Sequence, residues 1–210
     1  MKEHADCHRL IGLTALCVTL CLSAVPAFAQ EEMPSQVNVQ FSGLMNTDSA
    51  GNGITDHATR SAGLLTSYTY FFKKWAGIEG GYGYSRNTQN YLADGTGIGG
   101  VQTNIHELTG AFLFRLPTHT RKARPYALAG TGALQFRPTG DVGNAAGAVS
   151  QTKGVFVYGA GADFGLATHV GVRAEYRAFL YKAPDFAVSG LTTDSLTHLA
   201  EPSVGIFFKF

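Results

Sequence analysis

The last nine residues of the chain, residues 202–210 (PSVGIFFKF), constrain its fold more than any other stretch. At a period of two, Val204, Ile206, Phe208 and Phe210 fall on one face, and Ser203, Gly205, Phe207 and Lys209 on the other. Alternate side chains of a β-strand point to opposite faces, so this is a strand with one apolar face and one mixed face. An apolar strand that ends on an aromatic residue is an edge that invites pairing with other chains. A closed barrel in a bilayer resolves the difficulty, because its last strand pairs with its first and its apolar face meets lipid. The expected fold is therefore all-β, an antiparallel up-and-down transmembrane barrel closed by this strand.

The same period recurs upstream. Residues 36–45 alternate Val37, Val39 and Phe41 with Asn38, Gln40 and Ser42. Residues 61–72 set Ala62, Leu64, Tyr68, Tyr70 and Phe72 to one side, and residues 75–85 set Ile78, Tyr82 and Tyr84 against Glu79, Gly81, Gly83 and Ser85. Residues 103–116 oppose Leu108, Phe112 and Phe114 to Glu107, Thr109 and Arg115. Residues 126–137 oppose Tyr126, Leu128, Leu134 and Phe136 to Ala127, Ala129, Thr131 and Gln135. Residues 154–164 align Phe156, Tyr158, Ala160, Ala162 and Phe164, and residues 170–181 oppose Val170, Val172, Ala174 and Tyr176 to Arg173, Glu175 and Arg177. With a closing strand from about Leu196, this makes eight strands, each near the ~9–11 residues that cross a bilayer when tilted. Long polar loops are expected at 46–59, 86–100, 138–151 and 182–194, and short turns at 73–74, 117–124 and 165–168. Short turns on one side and long loops on the other are the layout of outer-membrane barrels.

The N-terminus points the same way. Residues 1–29 read as a secretory signal peptide, with Lys2 and Arg9 ahead of an apolar core and Ala27-Phe28-Ala29 as a cleavage site before Gln30. The alternative, a membrane-anchoring helix, is disfavoured by the short apolar core. The mature domain is then expected to span 30–210. All three cysteines (Cys7, Cys17 and Cys21) lie in the leader, so the mature domain has no disulfide and no Cys-based metal site. A net charge of +1 offers no basic surplus for nucleic acid.

The charges share the face opposite the aromatics, which points the aromatics to lipid and the charges to the lumen. Turned inside out, the pattern would describe a soluble lipocalin-type barrel, but only 15% of the residues are charged, few for a water-facing surface. Parity places Glu79, Glu107, Asp163, Glu175 and Glu201 inside, with Arg115, Arg173, Arg177 and Lys209. Acids and bases nearly cancel, as internal ion pairs would require. Asp163 is expected opposite Arg173, and Arg177 opposite the strand that carries Glu201. An eight-stranded barrel is just wide enough for its own side chains to fill, so a plugged lumen is expected.

Several stretches together resemble the small bacterial outer-membrane β-barrel proteins, the OmpA transmembrane-domain and opacity-protein group. Arg124-Pro125-Tyr126-Ala127-Leu128-Ala129-Gly130-Thr131-Gly132 is similar to that group's Pro-Tyr…Gly-x-Gly strand opening. Tyr158-Gly159-Ala160-Gly161-Ala162-Asp163-Phe164 and Arg173-Ala174-Glu175-Tyr176-Arg177 resemble its later strands, and Val204, Ile206, Phe208 and Phe210 resemble its assembly signal. The resemblance implies outer-membrane lipid as surroundings, the secretion and barrel-assembly machineries as transient partners, a monomer, and an unidentified surface ligand at the loops.

Catalysis would need His, Ser and acidic residues grouped at the outer rim. His106 and His198 sit near that rim, where either could serve as base to Ser195 or Thr197, or lie among lipid headgroups. The His-x-Ser-Asn pattern of lipid A deacylases is absent, and no cofactor motif is present. The leading expectation is a non-enzymatic barrel with a structural or surface-interaction role. A narrow diffusion channel is the first alternative, and a lipid A-modifying enzyme the second.

Overall fold

The computed structural model describes residues 34–51, 54–93, 96–118, 123–139, 148–184, 186 and 195–210. The expected leader with Ala27, Ala29 and Gln30, and most of the loops at 138–151 and 182–194, lie outside these residues. The strands are β1 (Ser35–Asn46), β2 (Ser49–Gly51), β3 (Ile54–Ala58), β4 (Ser61–Phe71), β5 (Ala76–Ala93), β6 (Thr96–Arg115), β7 (Ala123–Pro138), β8 (Gln151–Gly165), β9 (Val170–Lys182) and β10 (Leu196–Lys209). Eight of them, β1 and β4–β10, form a closed antiparallel barrel, each paired with its sequence neighbour and β10 paired with β1. At the seam Val39 faces Ile206 and Phe41 faces Val204. The Ser35 and Phe210 backbones exchange hydrogen bonds of 3.2 and 3.0 Å, so the aromatic end of the chain is not left as an open edge.

Two stretches expected as loops are strand instead. Residues 46–59 contain β2 and β3, and β3 pairs with β5 from Ile54↔Ala93 to Ala58↔Gln89, continuing the line of β4 past a break at Thr59 and Arg60. Residues 86–93 and 96–100 are likewise the far parts of β5 and β6, paired from Arg86↔Asn104 to Ala93↔Thr96 with a register shift after Tyr91. The reason is backbone hydrogen bonding. A strand already paired in the barrel presents an edge that the adjoining polar segment satisfies by continuing the ladder. Inward parity runs on unbroken through Asn87, Gln89 and Tyr91, all buried.

The outer surface carries the aromatic side chains. Phe72, Trp75, Phe112, Phe114, Phe164 and Phe208 are exposed toward the short-turn rim, and Tyr82, Tyr84 and Tyr158 toward the long-loop rim. Strand β7 departs from this rule. Its bulky face (Tyr126, Leu128, Leu134 and Phe136) points inward and is buried, while Ala127, Ala129 and Thr131 face out. The bulk has a place to go, because an apolar cluster fills part of the lumen beyond Arg177, beside the buried Asn87, Gln89, Thr103 and Thr197. Leu44, Ile105, Phe136, Phe179, Tyr181 and Leu199 pack there with Tyr91 and Phe186. Tyr91 Oη donates to the Pro184 carbonyl at 2.8 Å, and the Phe136 ring lies 5.8 Å from Tyr181 and 6.4 Å from Phe186.

Candidate functional site: the charged lumen

Period-two alternation along β9 drives Arg173, Glu175 and Arg177 into the barrel, where Arg173 is 0% and Arg177 2% exposed. Neither can reach water, so each guanidinium needs acceptors within the lumen. Arg173 Nε donates to Asp163 Oδ1 at 2.7 Å and Nη2 to Asp163 Oδ2 at 3.2 Å, a two-pronged bond across the β8–β9 pairing. Its Nη1 donates to Glu79 Oε2 at 2.7 Å, on the far side of the lumen. Arg177 Nη2 donates to the other oxygen of Glu79 at 2.5 Å, and its Nε donates to Glu175 Oε1. Glu79 thus bridges the two arginines and also accepts from Thr69 Oγ1 at 2.6 Å. Fork geometry of this kind is available to arginine and not to lysine.

Further side chains hold the carboxylates and guanidiniums of this centre in place. Tyr126 Oη donates to Glu175 Oε2, and its ring lies 4.6 Å from the Arg173 guanidinium carbon. Arg115 approaches Asp163 at 3.7 Å while stacking on Phe71 at 3.4 Å. Gln36 Nε2 donates to Asp163 Oδ2 at 3.2 Å. Glycines make room for these long side chains. A Cβ at Gly81 would lie 2.8 Å from Thr109 Oγ1 and 3.1 Å from Arg177 Nη1, and one at Gly83 would lie 2.9 Å from Glu107 Oε2.

The structure places all nine residues assigned to the lumen by parity on inward positions, though not in one network. Asp163 and Arg173 are neighbours in register and bonded. Glu201 is the register partner of Arg177, but that guanidinium reaches Glu79 and Glu175, and among the described residues Glu201 Oε2 has no hydrogen-bond partner. Glu107 lies 3.7 Å from Arg177, and its Oε1 likewise has no hydrogen-bond partner among the described residues. Lys209, expected among the pairs, instead sits 4.7 Å over the Phe207 ring. Tyr126, Thr69 and Gln36 were not among the residues that parity assigned to the charged lumen. For Thr69 the signal was available, since it breaks the aromatic run between Tyr68 and Tyr70 on the opposite parity.

Away from the lumen, His106 Nδ1 is 2.8 Å from Tyr82 Oη, and His198 Nε2 is 3.1 Å from Tyr158 Oη. Ser195 Oγ donates to the Ala50 carbonyl at 2.5 Å. Each histidine therefore pairs with a tyrosine on the outer face.

Solved structures share this architecture. The outer membrane protein OprG from Pseudomonas aeruginosa superposes with a TM-score of 0.60 at 15% identity, covering 86% of this chain and 97% of its own. Neisserial surface protein A gives 0.58 at 13% identity, with 86% and 100% covered. Ail, the attachment invasion locus protein of Yersinia pestis, in complex with the heparin analogue sucrose octasulfate, gives 0.50 at 15% identity, with 85% and 100% covered. At these identities the likeness is one of fold. No curated protein matches the chain. The model of the outer membrane protein β-barrel domain matches residues 14–197, most of the sequence, and the chain belongs to that family.

Proposed function

We propose that this outer-membrane barrel acts through its outward surface, as a scaffold for contacts at the long-loop rim, and that its lumen is a plug. The observation that carries the reading is the pair of fully buried arginines bridged by Glu79, followed along the axis by the apolar packing around Phe136, Tyr181 and Phe186. A permeating solute would have to break the charge-assisted bonds of both arginines and then pass this packed cluster. Breaking a buried pair costs ~3–5 kcal/mol, which disfavours a steady open pore. The long-loop rim has what a contact surface requires. Strands β5 and β6 continue well past the aromatic band, buttressed by β2 and β3. Long loops of such barrels face the outside. Ail, with its bound heparin analogue, shows that a barrel of this fold can present a ligand site.

Planar-bilayer recording of the purified protein tests the plug. Silence or rare, small events are expected. Steady, large single-channel conductance would overturn the reading in favour of a diffusion channel.

A further inference from the structure

A row of polar side chains crosses the lipid-facing surface at the long-loop end of β5, β6 and β7. In register, Arg86 faces Asn104 and Asn104 faces Arg137. The next row toward the membrane centre is Tyr84, His106 and Gln135, and the one after is Tyr82, Leu108 and Ala133. All of these lie on the outward parity, opposite the buried Ser85, Asn87, Ile105 and Phe136. Arg86 Nε donates to Asn104 Oδ1 at 2.8 Å, which also accepts from Tyr84 Oη at 3.2 Å. Arg137 Nε donates to Gln135 Oε1 at 2.9 Å.

Both guanidiniums are therefore aimed by neutral amides through Nε, and among the described residues neither has a carboxylate partner. In the lumen every buried arginine is charge-compensated. Here two exposed ones are oriented but not neutralised, and their Nη edges remain available. The height of the row decides what they meet. From Phe114, in the aromatic belt of the short-turn rim, to Asn104 is about ten residues of β6. At ~3.4 Å per residue and a tilt of ~35–45°, that is ~25 Å along the membrane normal. An outer-membrane barrel's apolar band is ~25 Å tall, so the row lies at the headgroup level of the outer leaflet. Arg86 and Arg137 stand two strands apart, ~9.5 Å, a spacing that suits separate phosphate groups of one large headgroup. A guanidinium fork matches a phosphate with two parallel hydrogen bonds.

We propose that Arg86 and Arg137, held by Asn104 and Gln135, form a binding site for the phosphate groups of an outer-leaflet glycolipid. The site is independent of the lumen and of any ligand at the loops. The test uses the full barrel refolded into phosphatidylcholine vesicles, with and without bisphosphorylated lipid A, and with dephosphorylated lipid A or inorganic phosphate as separate arms. The readout is the thermal transition, followed by the heat-dependent electrophoretic shift. Bisphosphorylated lipid A is expected to raise the transition of the wild type, and Arg86→Gln/Arg137→Gln is expected to lose at least half of that increment. Lys73→Gln, in the short turn at the opposite rim, should keep it. An Arg86→Lys/Arg137→Lys variant retains charge without the fork and should give an intermediate increment. It also serves if the glutamine variant folds poorly. An equal increment in wild type and glutamine variant, or one produced equally by dephosphorylated lipid A, would overturn the proposal. The same increment from inorganic phosphate alone would replace the lipid with a free anion.

Discussion

Truncation of Arg173 is the most informative single perturbation of the lumen. The side chain is 0% exposed and donates to Asp163 through two nitrogens and to Glu79 through a third. In Arg173→Ala, Glu79 keeps Arg177 and Thr69 as donors. Asp163 keeps only Gln36 at 3.2 Å and the longer 3.7 Å approach of Arg115. Most of the damage therefore falls on Asp163, a buried carboxylate left nearly uncompensated. Removing one partner of such a pair costs ~3–5 kcal/mol, a large share of the ~5–15 kcal/mol that holds a typical domain folded. Equilibrium urea titration in phosphatidylcholine vesicles measures this directly, with Lys73→Ala as an exposed control expected within ~0.5 kcal/mol of wild type. The origin of the loss is separable. If it arises from the orphaned charge, Arg173→Ala/Asp163→Asn should regain ~1–3 kcal/mol relative to Arg173→Ala, since contacting residues couple on that scale. A loss below ~1 kcal/mol for Arg173→Ala, or a double variant whose losses simply add, would refute the argument that charge compensation shapes this lumen.

Two further outcomes follow from the same geometry. Glu107 has a 3.7 Å approach to Arg177 and one oxygen without a hydrogen-bond partner, so Glu107→Gln should stay within ~1 kcal/mol of wild type or gain stability, whereas Glu79→Gln should lose ~3 kcal/mol or more; equal losses in urea titration would contradict this ranking. Phe210 is 44% exposed, lies 6.5 Å from the Tyr68 ring and is tied to Ser35 through its backbone. Phe210→Ala should therefore leave refolding in detergent nearly intact while lowering the amount of barrel inserted in cells, and equal losses in both assays would reduce its role to stability.

Inward and outward parity is legible in the residues alone. Alternation is local, so the inward placement of Glu79, Asp163, Arg173 and Glu175 and the lipid-facing placement of Ile206, Phe208 and Phe210 could be read without knowing any partner strand. The closing strand was legible for the same reason, since its neighbours are its own residues. Partner choice was not. Glu79 is 94 residues from Arg173 and 98 from Arg177, and whether its carboxylate reaches both depends on barrel width, strand stagger and the space left by Gly81 and Gly83. Register alone would have given Arg177 to Glu201, yet the guanidinium crosses the lumen to Glu79. The inward turn of Tyr126, Leu128, Leu134 and Phe136 was also decided only on closure. Both faces of β7 are uncharged between Tyr126 and Gln135, so alternation fixes that they differ but not which faces lipid. The volume of the lumen, glycine-lined on β5 and β7 and holding an apolar cluster beyond Arg177, selects the bulky face for the inside. Composition likewise read residues 46–59 and 86–100 as loops, because turn-forming residues are common in them. The exposed ladder of β5 turns much of both into strand.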